Sequence, residues 1–222
     1  MDFSNGEGSR YAMKSIVRNV YCVGRNYRLH AEELGNDVPA EPMIFLKPSH
    51  AVVPMDGTTI NLPGGKGEIH YEAELVLRIA RPYVTGISVD ELVDVMALGI
   101  DFTLRDVQSV LKKKGHPWTA AKGFRCSAPL TPYAAFPGTE EIGLVSFELI
   151  KNGETVQHGN TQDMIFSLQE IVDYIADHYG LDEGDLIFTG TPAGVGPVAD
   201  GDQLTLRLGE HTLGSCKIEI SG

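Results

Sequence analysis

The run IHYEAELVLRI, Ile69 to Ile79, constrains this chain more than any other stretch. Ile69, Tyr71, Ala73, Leu75, Leu77 and Ile79 alternate with His70, Glu72, Glu74, Val76 and Arg78. On a strand, successive side chains point to opposite faces, so the first set forms an apolar face and Glu72 and Glu74 stand side by side on the other. Two adjacent carboxylates repel, and both ionise only if a cation neutralises them. Oxygen-only donors suit hard ions such as Mg2+, Mn2+ or Ca2+, whereas zinc and copper usually recruit His or Cys. A bare Glu-x-Glu is equally what a solvent-facing strand presents, so other residues must decide. Asp101 lies in the apolar run Gly99-Ile100-Asp101-Phe102-Thr103. It reads either as an acid at the positive end of a helix or as a third ligand that completes one face of an octahedron.

The rest of the chain is punctuated in short pieces. NVYCVG, PMIFLK and TTINLP are β-rich runs bounded by Gly, Pro and Asn. SFELIKNGETVQ carries an Asn152-Gly153 hairpin turn, and QLTLRL and LGSCKIEI form a strand pair around Gly209. Ser88 with Glu91 makes a capping-box pattern ahead of Leu92, Val93 and Met96, which predicts a helix from Val89 to about Leu98. Ser167 with Glu170 repeats it ahead of Ile171, Val172 and Ile175, with Gly180 as the stop. A third helix, Leu104 to Lys114, ends in Lys112, Lys113 and Lys114, cations at the negative end of the helix dipole that need no ligand. Strands without regular strand–helix alternation predict an α+β protein built on mixed sheet rather than a doubly wound parallel one.

Composition excludes several functions. With 222 residues, 42% of them hydrophobic, the chain fits one domain with a sizeable core. A formal net charge of −12 repels nucleic acid and anionic membranes. The uncharged run Leu186 to Ala199 is too short and too broken to span a bilayer. Residues 1–18 resemble neither a secretory signal nor a transit peptide, and Met13 offers an alternative start. We therefore expect a leading segment over 1–18, a single catalytic domain over 19–222, and a cytoplasmic location. Cys22, Cys126 and Cys216, far apart and outside any CxxC, read as buried reduced thiols.

Further motifs stand around the carboxylates. They run Val23-Gly24-Arg25-Asn26-Tyr27 with His30 and Glu33, Tyr71-Glu72-Ala73-Glu74, Asp101 with Arg105-Asp106-Val107-Gln108, Ala121-Lys122-Gly123-Phe124, Asn152-Gly153, and Thr189-Gly190-Thr191-Pro192-Ala193-Gly194-Val195-Gly196. The glycine-rich segment is neither GxGxxG nor a Walker loop, so it reads either as a plain Gly-Pro turn or as a tight loop. In the second case its N–H groups and the Thr191 hydroxyl meet the carboxylate of a small ligand. His30 and Glu33, three apart on a short helical pattern, would share a face, as an incidental ion pair or as a working dyad. His70 reads as a polar residue supporting its neighbours, and His116-Pro117-Trp118 as a packed turn.

In this order and spacing the motifs resemble the fumarylacetoacetate hydrolase family, in its short acylpyruvate hydrolase and oxaloacetate decarboxylase branch, from about Asn19 to the C-terminus. The resemblance implies a mixed β-sheet roll or sandwich of that family's C-terminal-domain type with a few short helices. It implies Mg2+ or Mn2+ held by Glu72, Glu74 and Asp101, a water-activating dyad of His30 and Glu33, and Lys122 as a cation beside developing enolate charge. Arg25, Arg105, Gln108, Gly190 and Thr191 would bind substrate. The reaction so implied is hydrolytic C–C cleavage of an acylpyruvate to pyruvate and a carboxylic acid. Oxaloacetate decarboxylation or tautomerisation and hydration of a 2-oxo-enoate are rivals in the same site, and a closed carboxylate-lined metal-binding module is the non-enzymatic one. A homodimer and a mobile lid over Arg28 to Pro42 complete the expectations.

Overall fold

The computed structural model describes residues 16–29 and 38–222. Its strands are β1 (Val20–Gly24), β2 (Met43–Lys47), β3 (Val52–Pro54), β4 (Asp56–Pro63), β5 (Ile69–Tyr71), β6 (Ala73–Ile79), β7 (Val93–Ile100) and β8 (Thr103–Leu104). There follow β9 (Ala128–Leu130), β10 (Ala134–Ala135), β11 (Phe147–Lys151), β12 (Glu154–Gly159), β13 (Leu186–Phe188), β14 (Gly196–Pro197), β15 (Gln203–Leu208) and β16 (His211–Ser221). The helices are α1 (Val89–Leu92), α2 (Arg105–Lys114), α3 (Thr119–Lys122), α4 (Thr139–Gly143) and α5 (Leu168–Tyr179). None of them is long and apolar enough to cross a membrane.

Three sheets form, as the α+β reading requires. The largest runs β2-β1-β13-β6-β7-β9-β3, with β10 also on β7. The second runs β12-β11-β15-β16-β4, and a small third runs β14-β5-β8. Pairing is mixed: β1 with β13, β3 with β9 and β4 with β16 are parallel, and the remaining pairs are antiparallel. Leu75, Leu77, Met96 and Leu98 of the large sheet share one core with Leu149, Leu206 and Ile218 of the second sheet and with Ile171 and Ile175 of α5. On the opposite face of β6 and β7, Val76, Val95 and Ala97 pack with Val20, Leu186 and Phe188 in a second cluster. Both faces of the central strands are therefore closed to water.

That closure corrects the first helix. The capping box at Ser88 forms, with Ser88 Oγ accepting from the Glu91 N–H at 3.3 Å and Glu91 Oε2 accepting from the Ser88 N–H at 3.2 Å. The helix nevertheless stops at Leu92, and Val93 onward is strand β7. Seven of the eight β7 residues are buried, so this apolar run lies against neighbours on both faces; a helix would hide only one stripe of it. The other two helices stand as expected. α2 ends at Gly115 in the left-handed region (φ 64°), and α5 starts at its Ser167 capping box. Asn152 and Gly153 both take positive φ, 53° and 89°, which matches a two-residue hairpin with the twist of its flanking strands. Cys22 and Cys216 are buried free thiols, whereas Cys126 is half-buried, a small departure from the expectation of three buried ones.

Candidate metal centre

The alternating run is not one strand. It breaks at Glu72: β5 belongs to the three-stranded sheet and β6 to the large one. Two other segments cross the same seam. β7 leads through Asp101 to β8, and β13 leads through the Thr189–Gly196 loop to β14. The Asp101 N–H donates to the Glu72 carbonyl at 2.8 Å, which fixes these two crossings against each other. Carboxylates from two crossings thus converge although Glu72 and Asp101 are far apart in sequence.

Glu72, Glu74 and Asp101 are all buried, and their ligand oxygens lie within 4.8 Å of one another. The face carrying Glu72 and Glu74 is therefore an interior pocket wall, and the solvent-facing reading of the pair falls. Lys122, itself 3% exposed, places Nζ 2.8 Å from Glu72 Oε2 and 2.6 Å from Asp101 Oδ2. Burial alone would lower its pKa, but the Asp101 and Glu72 charges outweigh it and hold the amine above its usual value. Glu74 accepts from the Gly190 N–H at 2.7 Å, and its carboxyl is pushed well above the usual range by burial, then by Asp101 and Glu72.

These residues fit a hard divalent ion. The donors are oxygens on three buried acids, and their mutual repulsion is what a cation relieves; Asp101 Oδ1 itself is buried and faces a lysine. Lys47 Nζ sits 2.7 Å from that oxygen as an ion pair and donates to the Phe102, Lys122 and Ser127 carbonyls. When bound, such an ion supplies electrostatic stabilisation of negative charge on a substrate oxygen.

The pocket beside the acids is lined by Arg25, Arg105, Gln108, Lys112, Lys122 and Thr191, with Met43, Phe45 and Trp118 as its apolar wall. Arg105 is anchored by three partners: NH2 to Glu72 Oε1 at 2.7 Å, NH1 to Gln108 Oε1 at 2.7 Å, and Nε to His70 Nδ1 at 3.3 Å. His70 thus supports its neighbour, as expected. Arg25 sits at φ 59°, a left-handed conformation a non-glycine residue adopts only when its surroundings impose it. Trp118 packs against Phe45 with ring centroids 5.8 Å apart.

The glycine-rich loop is bound into the fold at both residues expected to meet substrate, and Thr191 also lines the pocket. The Gly190 N–H is occupied by Glu74, and the Thr191 hydroxyl donates to the Ala73 carbonyl at 2.9 Å while accepting from Gln157 Nε2 at 2.9 Å. The loop therefore orients Glu74 and the start of β6. Gly190 has φ 106°, and a Cβ there would stand 2.7 Å from Asn26 Cβ, so only glycine fits without movement. Asn26, fully buried, donates to the Thr189 carbonyl at 2.9 Å and ties the loop from behind.

His30 and Glu33 lie outside the described residues, as does the stretch 30–37 of the expected lid. Lys47, Thr103, whose hydroxyl donates to Glu72 Oε1 at 3.0 Å, Gln157 and the supporting role of Asn26 were missed by sequence reasoning. A lysine ending the apolar strand PMIFLK was the one available signal for Lys47. Nothing local marks Gln157, whose amide oxygen accepts from the Ala73 N–H at 2.9 Å from across the fold.

A mixed-sheet α+β protein with a buried three-carboxylate centre at a sheet seam, faced by lysine and arginine, is the class that this fold and site define. The profile described as Fumarylacetoacetate (FAA) hydrolase C-terminal matches residues 19–221, and the chain belongs to that family. It is 39% identical over 205 residues to the mitochondrial oxaloacetate tautomerase of Homo sapiens, covering 91% of each chain. It is 38% identical over 202 residues to an oxaloacetate tautomerase of Escherichia coli, covering 89% of this chain and 91% of that one. Among solved structures, fumarylpyruvate hydrolase from Pseudomonas aeruginosa in complex with Mn2+ and pyruvate superposes with a TM-score of 0.82 at 37% identity, covering 92% of this chain and 91% of that one.

Proposed function

We propose that this enzyme acts on short 2-oxo acids by stabilising their enolate beside a Mg2+ or Mn2+ ion held by Glu72, Glu74 and Asp101. The observation that carries this is the Lys122 ammonium, held by Glu72 and Asp101 in a pocket that Arg25 and Arg105 also line. A buried, fixed cation stabilises a developing oxyanion without reorganising as charge appears. Arg105, clamped by Glu72, Gln108 and His70, and Arg25 from the end of β1 hold the substrate carboxylate. Met43, Phe45 and Trp118 exclude water from the carbon chain.

Two reactions share that enolate. Keto–enol interconversion of oxaloacetate is supported by the relatives at 38–39% identity over about nine-tenths of the chain. C–C hydrolysis of an acylpyruvate to pyruvate and a carboxylic acid is supported by the manganese- and pyruvate-bound fumarylpyruvate hydrolase. Hydrolysis alone needs an activated water, which is the role the family resemblance gives His30 with Glu33 as the imidazole's orienting partner. Residues 19–222 form the catalytic domain in this reading, and the functional particle is a homodimer.

The test is a parallel assay of Mn2+-loaded protein on enol-oxaloacetate, followed by ultraviolet absorbance, and on acetylpyruvate and fumarylpyruvate, followed by pyruvate release. Lys122→Met is expected to reduce whichever activity is present by about a hundredfold or more, the scale of losing one oxyanion-stabilising group. Full activity in Lys122→Met, or none in the wild type on any of the three, would remove the proposal. Loss of pyruvate release in His30→Ala with oxaloacetate turnover retained assigns the dyad to hydrolysis. A monomer in sedimentation at micromolar concentration would count against the dimer.

A further inference from the structure

We propose that Lys112 reads the distal carboxylate of the substrate, so that the site selects 2-oxo dicarboxylates over 2-oxo acids with an uncharged tail. The inference rests on the 2-oxo acid reading above and specifies its substrate class.

Helix α2 carries Arg105, Gln108 and Lys112 at i, i+3 and i+7, which places them on one face, and all three line the same pocket. The near end of that face is tied to the metal carboxylates through the 2.7 Å contacts of Arg105 with Glu72 and with Gln108. Lys112 lies one turn beyond Gln108, a step of about 6 Å along the helix axis, the reach of a few carbon–carbon bonds. A 2-oxo acid whose carboxylate and keto group lie at the carboxylate centre would run its tail along this face toward Lys112.

Charge argues the same way. In a chain of net charge −12, Arg25, Arg105 and Lys112 converge on one pocket. Partial burial, then the positive charges of Arg25 and Arg105, push the Lys112 amine below its usual pKa. An anion between these cations relieves their repulsion. Lys113 and Lys114 share the last turn of α2 and serve its dipole equally well, but they do not line the pocket. The dipole accounts for all three lysines as sequence reading has it, and the pocket gives Lys112 a second setting that Lys113 and Lys114 do not share.

The experiment compares Lys112→Gln, Lys112→Arg and, as a control, Lys113→Gln with the wild type. Fumarylpyruvate and acetylpyruvate share the reacting end and differ in the tail, a C=C unit ending in a carboxylate in the first and a methyl group in the second, so the pair that differs by the carboxylate alone is the calorimetric one. Lys112→Gln is expected to raise the KM for fumarylpyruvate about tenfold, the scale of one charge-assisted hydrogen bond, leaving kcat and both constants for acetylpyruvate within twofold. Lys112→Arg should recover most of the loss and Lys113→Gln should show none. Calorimetry on the Mn2+-loaded proteins, with 2-oxoglutarate against 2-oxobutyrate as probes, reads the same preference without turnover. If the wild type turns over neither acylpyruvate, C–C hydrolysis fails and only the oxaloacetate reaction is left, yet the calorimetry still decides Lys112. Tighter wild-type binding of 2-oxoglutarate that Lys112→Gln abolishes supports the assignment. Equal loss for both tail types, no loss for either, or a wild type that binds both probes alike or neither overturns it.

Discussion

A lysine whose ammonium is wholly withdrawn from solvent needs partners for its charge and its donors, and Lys47 has them. Its side chain is 0% exposed and meets Asp101 together with the Phe102, Lys122 and Ser127 carbonyls. Breaking such a pair from one side leaves a buried charge uncompensated and costs about 3–5 kcal/mol. Lys47→Met is expected to lower unfolding free energy in urea by that amount, and a loss under about 1 kcal/mol would show the pair to be dispensable. Asp202 offers the opposite case, a largely buried acid away from the metal centre. Desolvation works to raise its pKa, but the Ala199 N–H, the Asn152 amide and Lys151 outweigh it, and the carboxyl sits below its usual value. A depressed folded pKa contributes stability above the unfolded value of about 3.9, and that contribution fades as pH falls through the lower folded value. Asp202→Asn should therefore lose stability at neutral pH and show a shallower acid limb below about pH 4 in pH-dependent denaturation. An unchanged acid limb would refute the assignment.

Elements were legible where local chemistry dictates them and illegible where tertiary packing does. The Asn152-Gly153 turn, the Ser167 box with its Gly180 stop, and the lysine-tipped end of α2 each announce themselves within a few residues, and each stands. Val89 to Leu98 did not, because an intact start signal precedes an apolar run whose periodicity fits a helix face as well as a strand buried on both sides. The carboxylate run failed in a different way. Its alternation is real, yet strict alternation cannot say that the chain changes sheets at Glu72. Residue identity was enough to nominate the ligands, but their enclosure and the lysines answering them come from segments far away in sequence. At α5, the Ser167 hydroxyl accepts from the Glu170 N–H at 3.3 Å. Ser167→Ala is expected to cost about 1 kcal/mol in urea denaturation, and Ser167→Asp to restore most of it. A neutral alanine would mean that the packed face of Leu168, Ile171 and Ile175 alone sets the start of the helix.

Across the whole molecule, among the described residues, the chain passes from one sheet to another nine times, and three of those crossings, β5 to β6, β7 to β8 and β13 to β14, meet at the acids. Ligand that binds only the folded state adds RT ln(1 + [L]/Kd), about 2.7 kcal/mol at a hundredfold excess over Kd. Mn2+ should therefore raise the melting temperature in a concentration-dependent way. Chelation should reverse it, and Glu74→Gln should blunt it; a melting temperature indifferent to Mn2+ would argue against the centre. The break at Glu72 gives this linkage a location. A cation drawn between Glu72, Glu74 and Asp101 would act as a rivet through the joint where the three-stranded sheet leaves the large one. The amides of Ile69–Tyr71 and Thr103–Leu104 should then exchange with deuterium more slowly once Mn2+ is added, while the Asn152-Gly153 hairpin, held by its own ladder, should exchange as before. In such a protein the reagent that polarises the substrate is also a fastener of its architecture, and starvation for metal would loosen the same joint that catalysis uses.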